Sequence, residues 1–381
     1  MDSSLLAASP EFLIPEVAVP DVSIIVPARN EEANIGDCLK SLTSQTGVVF
    51  EIIVVDDGST DRTREIAQSL ARVRVISPEP LLKDTTKAWT GKNNAVLAGA
   101  KEAHGRWLLF TDADTVHQPG SLARALAEAK RAGADLLSYS PEQVVVTFPE
   151  RAVMPVIFAE LAARYPPEKV RDPNSGIVAA NGQYILVRRE AYDAVGGHAA
   201  VATEILEDVV LARLFHNAGK RVYFRYGGDA VRTRMYRNWT QLREGWTKNL
   251  AVLFPHPGRL ALQSVFLWFM AWSALGVAAY GVASQYFGQY FGWIVFAALW
   301  LVVYGRTSAA HFSATNNVIA IAFGLPMFAY LLLLSKRAHA TGKVFWKDRT
   351  YGVGAPKSVP AEVKSADLIP GIESQKLRTG N

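Results

Sequence analysis

The C-terminal part of the chain carries almost no charge, and this constrains its fold more than any other feature of the sequence. From Leu260 to Gly305, and again from Thr307 to Ser335, there is no Asp, Glu, Lys or Arg. One helix needs roughly 20 predominantly apolar residues to cross a bilayer. Residues 259–335 are therefore predicted to form membrane helices, and a buried helical core is the alternative.

The charge-free stretches have room for three helices. The first stretch can contain two, with a break near Ser284-Gln285 or Gly288-Gln289, and Asn317 to Leu334 can form the third. Three full crossings would place the basic residues of the polar tail, residues 336–381, on the side opposite the N-terminal domain, against the tendency of basic segments to stay cytoplasmic. We therefore expect the segment from Leu260 to Ala283 to lie in the membrane or re-enter it.

The composition is that of a folded protein in a reducing compartment. Half of the residues are apolar and 20% are charged, which excludes a mainly disordered chain. The net charge of +5 suits anionic ligands or lipid headgroups and does not require nucleic acid as a partner. Cys38 is the single cysteine, so the sequence has no disulfide framework. Residues 1–20, which contain Pro10, Pro15 and Pro20, are expected to form an N-terminal extension that is neither a signal peptide nor a span.

Short apolar runs alternate with helical patterns between residues 21 and 235. The predicted strands are 22–27, 51–56, 73–77, 107–111, 135–140 and 184–187. Strands separated by helices of this length pair in parallel through right-handed crossovers. The prediction is an α/β fold with a doubly wound, mostly parallel sheet, whose ligand crevice lies beyond the carboxyl ends of the strands.

Two acidic clusters follow predicted strands. The carboxylates of Asp56-Asp57-Gly58-Ser59 could accept hydrogen bonds from a nucleoside, or the segment could be a turn that caps the next helix. Asp112 and Asp114 are two residues apart, so both could face one divalent cation that binds a diphosphate. A turn with two surface carboxylates is the alternative.

A third acidic cluster, Glu207-Asp208, lies in the first turn of a predicted helix. Acidic residues there stabilise the N-terminal end of the helix dipole, which alone could explain them. The functional interpretation makes one of them a general base, and periodicity does not separate the two. Gly91 and Lys92 begin another helix, where backbone N–H groups and an ammonium could bind a pyrophosphate.

Residues 236–258 are predicted to form an amphipathic segment at the membrane interface. At about 100° per residue, one narrow stripe contains Trp239, Leu242, Trp246, Leu250 and Leu253, with Arg237, Gln241, Glu244 and Lys248 opposite. The basic excess of the surrounding window suits anionic headgroups or a diphosphate. A helix that faces a protein core would show the same stripe. Residues 150–165 are also amphipathic but contain Pro155, so both a surface-lying helix and a plain connector remain open.

Taken in order, five motifs closely resemble the family 2 inverting glycosyltransferases. They are Val26-Pro27-Ala28-Arg29-Asn30-Glu31-Glu32, Val55-Asp56-Asp57-Gly58-Ser59-Thr60-Asp61, Gly91-Lys92, Asp112-Ala113-Asp114 and Glu207-Asp208. The resemblance covers about residues 22–250 and implies an A-type glycosyltransferase fold, a UDP-sugar donor and Mg²⁺ or Mn²⁺. The apolar C-terminal block resembles that of membrane-associated members that glycosylate lipids, such as carotenoid, hopanoid-associated and ceramide glycosyltransferases.

The resemblance also implies roles for individual residues. It places Pro27, Arg29, Glu31 and Asp57 at the nucleoside, Lys92 beside the base or diphosphate, Asp112 at the ribose and the metal, and Asp114 as the main metal ligand. It makes Asp208 the catalytic base. It places Gly182 and Gln183 near the acceptor. Glu207, Arg243 and Trp246 are also predicted on the acceptor side, Arg243 because it flanks the apolar stripe.

The sequence thus predicts an enzyme of the cell membrane with its catalytic domain on the cytoplasmic face. It would move a sugar, expected to be a hexose, from a UDP-sugar to a hydroxyl or carboxyl group of a membrane lipid. One alternative is a membrane protein that binds nucleotide sugars without turnover. The other is a polysaccharide synthase, although Gln241 is followed by Leu-Arg-Glu-Gly-Trp246 and not by the x-x-Arg-Trp of processive synthases.

Overall fold

The computed structural model describes residues 19–79, 90–284, 288–346 and 349–351. Most of the predicted N-terminal extension and the tail after residue 351 lie outside the described residues. The N-terminal part contains the elements β1 (Val22–Ala28), α1 (Ile35–Thr43), β2 (Phe50–Asp56), α2 (Thr63–Gln68), β3 (Val73–Ile76), α3 (Gly91–Glu102), β4 (Trp107–Phe110), β5 (Thr115–His117), α4 (Ser121–Ala132), β6 (Leu136–Ser140), β7 (Glu142–Gln143), α5 (Phe148–Arg164), α6 (Pro167–Arg171), β8 (Ile185–Arg188), α7 (Arg189–Ala194), α8 (Gly197–Ala200), α9 (Glu207–Asn217), β9 (Val222–Tyr226) and β10 (Val231–Thr233).

Seven of these strands form one sheet in the order β3-β2-β1-β4-β8-β6-β9. Strand β1 pairs in parallel with both β2 and β4, with Val22 opposite Phe50 on one side and Trp107 on the other. From β1, the chain therefore adds β2 and β3 on one side of the sheet and β4 on the other. Strand β8 runs antiparallel to its neighbours β4 and β6. The predicted α/β fold with a doubly wound, mostly parallel sheet is confirmed.

Both faces of this sheet are covered by helices. Adjacent residues of β1 point to opposite faces, so Ile24 packs in a cluster with α1 and α4 whereas Ile25 packs with α3 and α9. A strand buried on both faces reads as a continuous apolar run, which explains the composition of β1 and β2. Because helices cover both faces, the polar loops lie at the ends of the strands. Three further strands form a smaller sheet in the order β5-β10-β7.

The C-terminal part is helical. It contains α10 (Trp239–Leu253), α11 (Pro257–Ser284), α12 (Gly288–Ser308), α13 (Ala314–Ile319), a π-helical turn (Ala320–Gly324), α14 (Leu325–Ala340) and the hairpin of β11 (Val344–Trp346) and β12 (Arg349–Tyr351). Three stretches are long and apolar enough to cross a membrane, namely Pro257–Ser284, Tyr290–Ser308 and Ala314–Ala340. The predicted break falls between α11 and α12. The last helix continues past residue 335, where we expected a polar tail to begin.

The apolar stripe of α10 contacts protein. Leu242, Trp246 and Leu250 are buried in a cluster shared with α5 and α14. Ser335 of α14 donates a hydrogen bond to the carbonyl of Thr247 at 2.6 Å. The alternative of a core-facing helix therefore describes this stripe, and α10 joins the apolar helices to the N-terminal domain.

Helix α5 is neither a surface-lying helix nor a plain connector. It is continuous through Pro155 and packs against α12, α13, the π-helical turn and α14. The approach is close, because a Cβ at Gly324 in the π-helical turn would collide with the carbonyl oxygen of Ala152. The same turn is stabilised by Trp268, whose indole N–H donates to the Ala322 carbonyl at 2.8 Å. Helix α5 thus links the sheet domain to the apolar helices.

Candidate active site

A cavity of about 450 Å³ lies where the predicted site residues meet. Its lining includes Pro27, Arg29, Glu31, Asp57, Lys92, Asp112, Asp114, Gly182, Gln183, Glu207, Asp208 and Trp246. These residues come from loops after β1, β2 and β4, from the start of α3, from the segment before β8, and from α9 and α10. Among the predicted site residues, all of which the structure describes, Arg243 does not line the cavity.

The loops after β1 and β2 are fastened together. The Arg29 guanidinium donates to the Asp57 carbonyl at 2.8 Å. Asn30, which has a φ of 52°, accepts the Thr60 N–H at 2.9 Å, and the Glu31 N–H donates to the Thr63 hydroxyl at 2.7 Å. These hydrogen bonds join the two loops at one end of the cavity.

The neighbouring aspartates after β2 have different surroundings. Asp56 accepts the Ser59 N–H at 3.1 Å and forms an ion pair with Arg64 at 3.2 Å. Asp57 lines the cavity instead. Asp56 therefore stabilises the turn, and Asp57 is the member of the pair that lines the cavity.

The loop that carries Asp112 and Asp114 is held by hydrogen bonds that its backbone carbonyls accept. The Thr115 hydroxyl donates to the Asp112 carbonyl at 2.7 Å, and the Thr233 hydroxyl of β10 donates to the Asp114 carbonyl at 3.2 Å. Gln183 in turn donates to the Thr233 hydroxyl at 3.3 Å. These hydrogen bonds fix the backbone of the loop, and both Asp112 and Asp114 line the cavity.

Carboxylate oxygens of this kind suit a hard divalent cation. Among the described residues there is no cluster of three or more His, Cys, Asp or Glu side chains that could hold a metal ion. Asp112 and Asp114, which both line the cavity, are the residues that could hold such a cation, with a bound phosphate and water as further ligands, as Mg²⁺ usually has in proteins.

Lys92 connects two of the acidic clusters. Its ammonium lies 2.9 Å from a carboxylate oxygen of Asp112 and 2.9 Å from one of Glu207. Burial opposes the charged form of Lys92, but the two carboxylates outweigh it and raise its pKa well above the ordinary range. Lys92 is therefore a permanent cation at the centre of the cavity's acidic side chains.

The sequence does not distinguish Glu207 from Asp208, but their pKa values are shifted in opposite directions. Burial disfavours the Glu207 carboxylate, yet Lys92 and Lys248 outweigh this and lower its pKa. Burial and the neighbouring Glu207 raise the pKa of Asp208 to about 6. Asp208 accepts the Gly182 N–H at 2.8 Å, a close approach that a side chain at position 182 would crowd. Asp208 is thus the carboxylate poised to take up a proton near neutral pH.

Helix α10 reaches the cavity with residues that the sequence did not single out for this site. Lys248 and Asn249 line it, together with the predicted Trp246, whose indole N–H points to the Met154 sulfur at 3.3 Å. Lys248 lies on the polar face opposite the apolar stripe. The basic residues of this window were predicted to meet anionic headgroups or a diphosphate, and Lys248 lines the cavity.

A further part of the lining was not predicted. It comes from α5, with Phe158, Leu161 and Ala162, and from the segment 309–311 between α12 and α13. No local sequence signal marks these residues, because they reach the cavity only through the packing of α5 against the C-terminal helices.

Comparison with known families gives a match for the N-terminal part of the chain. Residues 23–196 match the model of Glycosyl transferase family 2. The chain carries a family 2 glycosyltransferase domain. This glycosyltransferase is similar to the 4,4'-diaponeurosporenoate glycosyltransferase of Staphylococcus aureus (strain USA300), with 28% identity over 348 residues that cover 87% of this chain and 88% of the relative.

Solved structures also match the glycosyltransferase. A mannosyltransferase of Pyrobaculum calidifontis in complex with GDP-Man and Mn²⁺ is 16% identical, and the match covers 84% of this chain and 87% of that chain with a TM-score of 0.45. Glucosyl-3-phosphoglycerate synthase of Mycobacterium tuberculosis, in complex with Mn²⁺ and UDP-glucose, is 21% identical, covering 61% of this chain and 78% of that chain with a TM-score of 0.41.

Proposed function

We propose that this glycosyltransferase moves a sugar from a UDP-sugar to a hydroxyl or carboxyl group of a membrane lipid, with inversion at the anomeric carbon. One observation carries the proposal: the strand-end aspartates and the segment 309–311, which follows an apolar helix long enough to span a bilayer, line the same cavity. The relative named for 4,4'-diaponeurosporenoate supports an apolar acceptor.

On this proposal the donor occupies the end of the cavity formed by the loops after β1 and β2. Asp57 would accept hydrogen bonds from the uracil, beside Pro27, Arg29 and Glu31. Lys92 would bind the diphosphate, exchanging part of its ion pairing with Asp112 and Glu207 for phosphate oxygens. The motif resemblance supports uridine as the nucleoside.

Asp112 and Asp114 would hold the Mg²⁺ or Mn²⁺. When bound, a divalent cation neutralises negative charge on the departing nucleotide diphosphate. The hydrogen bonds from Thr115 and Thr233 hold the backbone of the loop that carries the two carboxylates. Activity is therefore expected to need a divalent cation, and full activity in excess chelator would contradict this assignment.

Asp208 would act as the base that removes the proton from an acceptor hydroxyl. Its raised pKa supports this choice over Glu207, whose carboxylate is paired with Lys92. The Gly182 N–H orients the Asp208 carboxylate for the transfer. A single displacement would convert a UDP-α-sugar into a β-glycoside.

The proposed base predicts an acid limit to activity. Asp208 can accept a proton only as a carboxylate, so kcat/KM for an alcohol acceptor should fall as the pH drops through about 6, the pKa to which burial and Glu207 raise it. An unperturbed aspartate would place this limit near its ordinary pKa of about 3.9. A pH–rate profile in detergent micelles measures the limit, and a flat profile down to about pH 5 would contradict the assignment.

We propose that the catalytic domain lies on the cytoplasmic face and that Ala314–Ala340 does not cross the membrane. Just before this segment, His311 stacks on Tyr226 with ring centroids 3.8 Å apart. Near its end, the His339 ring nitrogen lies 2.8 Å from the carbonyl oxygen of Lys248. Tyr226 and Lys248 both line the cavity. Contacts at both ends support a segment on the side of the catalytic domain, so we now favour this segment, and not Leu260 to Ala283, as the one that does not cross.

Cysteine labelling tests the topology. Cys38 is buried, so a membrane-impermeant maleimide should report only an added cysteine. Thr341→Cys, after α14, and Lys101→Cys, on the exposed side of α3, should both stay unlabelled in intact cells and become labelled after lysis. Labelling of Thr341→Cys alone in intact cells would mean that the last helix crosses. Labelling of both variants in intact cells would place the domain outside.

Mass spectrometry of lipids tests the function itself. Membranes from cells that express the chain should contain a lipid heavier by one hexose than its counterpart in cells without the chain, and Asp208→Asn should abolish that species. A polysaccharide in place of a glycolipid would support the synthase alternative. Unchanged lipids, with no donor consumption by the purified chain, would contradict the proposal.

A further inference from the structure

One wall of the cavity has no acidic, lysine or arginine side chain. It consists of Phe158, Leu161, Ala162 and Tyr165 from α5 and its C-terminal cap, and of Ala309, Ala310 and His311 from the segment after α12. We call these residues the apolar wall. The other cavity residues include the aspartates, Glu207, Lys92 and Lys248, so the two parts of the lining differ sharply in charge.

Three residues of the apolar wall, Phe158, Leu161 and Ala162, form one face of α5, because positions 158, 161 and 162 are spaced i, i+3 and i+4. Tyr165 follows at the C-terminal cap of the helix. The charged Glu160 lies off this face and pairs with Arg306 of α12 at 2.8 Å. The opposite side of α5, including Val153 and Val156, is buried against the C-terminal helices. Helix α5 therefore presents an uncharged face to the cavity.

The apolar wall is held in place from both sides. The Glu160–Arg306 ion pair joins α5 to α12, and the Phe158 ring meets the Phe312 ring edge to face with centroids 6.1 Å apart. His311 is fixed by its stack on Tyr226 of β9. The wall is thus preformed, which lowers the ordering cost of binding a ligand.

We propose that the apolar wall binds the hydrocarbon chain of the acceptor, next to the carboxylates that act on its reacting group. This proposal rests on the function proposed above. A nucleotide diphosphate requires charged partners, which Lys92 and Lys248 supply on the other side of the cavity, whereas the wall has no lysine or arginine. Three alanines, Ala162, Ala309 and Ala310, leave room for a slender chain.

The wall is also continuous with the apolar helices. Segment 309–311 follows α12 directly, and Leu301 and Val302 of α12 are exposed. A lipid chain that leaves the bilayer along α12 would therefore meet the apolar wall before it meets the aspartates. The acceptor would reach the aspartates head group first, with its chain trailing along the apolar wall toward α12.

Photolabelling with a matched pair of variants tests the proposal. The probe is a 12-carbon n-alkyl alcohol with a chain diazirine, added to the full-length chain in nanodiscs, and the labelled peptides are mapped by mass spectrometry. Peptides with the apolar wall should be labelled. Ala162→Trp, which fills the cavity side of α5, should lower that labelling by about tenfold. Ala163→Trp, on the exposed side of the same helix, should leave it within roughly twofold.

UDP binding, measured by titration calorimetry with Mn²⁺ in the buffer, separates this proposal from the donor assignment. We expect both variants to bind UDP like the unaltered chain. Labelling confined to the lipid-facing sides of α11 and α12, or lost equally in both variants, would overturn the apolar wall as the acceptor site. If the unaltered chain is labelled at the apolar wall but does not bind UDP, the apolar wall remains supported as the acceptor site. The assignment of a UDP-sugar as the donor would then be wrong.

Discussion

Asp208→Asn is expected to lower transfer to an alcohol acceptor by about 10²- to 10⁴-fold, the usual contribution of a general base. The amide keeps the size of the side chain, and its oxygen can still accept the Gly182 N–H, so the fold should persist. It cannot take up the proton of the acceptor hydroxyl. The measurement is kcat with saturating UDP-sugar, together with the thermal midpoint of unfolding.

The controls for this variant separate chemistry from structure. Asp193→Asn changes an exposed aspartate of α7 and should leave kcat unchanged. A carboxylate acceptor has no proton to lose at neutral pH, so Asp208→Asn should impair transfer to a carboxylate much less than transfer to an alcohol. Loss of less than about tenfold with the alcohol would remove Asp208 from the role of base.

Lys92→Met is expected to lower kcat/KM for the UDP-sugar by about 10²- to 10³-fold, the size of effect seen when one electrostatic stabiliser is lost from an active site. Methionine fills a similar volume without the ammonium. The cation that pairs with Asp112 and Glu207, and that would bind the departing diphosphate, is then missing.

The same variant should move the acid limit of the pH profile. The Lys92 ammonium lowers the pKa of Asp208, so removing it raises that pKa and shifts the limit to a higher pH. Lys101→Met, a change at an exposed lysine of the same helix, should alter neither the rate nor the limit. An unchanged pH profile in a folded Lys92→Met chain would show that Lys92 does not act on the base.

Local sequence patterns were a good guide to the sheet domain. Apolar runs followed by acidic residues at β1, β2 and β4 predict parallel strands whose carboxyl ends meet at one edge, and the residues predicted from these ends line one cavity. The polar residues at those ends are apparent from the sequence, because a buried strand must end where polar side chains can be accommodated.

Sequence patterns could not assign different roles to adjacent residues, and they could not identify contact partners that lie far away in the chain. Asp56 stabilises a turn while Asp57 lines the cavity, and Glu207 pairs with Lys92 while Asp208 bonds to Gly182. Each of these differences depends on a partner elsewhere in the chain. Arg243 was predicted from its place beside the stripe of α10, but Lys248 is the cation of α10 that lines the cavity.

By itself, the amino-acid order determined the doubly wound sheet, the acidic strand ends and the apolar C-terminal helices, since periodicity and charge are properties of neighbouring residues. Only the tertiary structure decided that the α10 stripe packs on α14, that α5 lies along the C-terminal helices, and that segment 309–311 completes the cavity. Those outcomes depend on which apolar surfaces bury one another, and an amphipathic helix does not specify its partner.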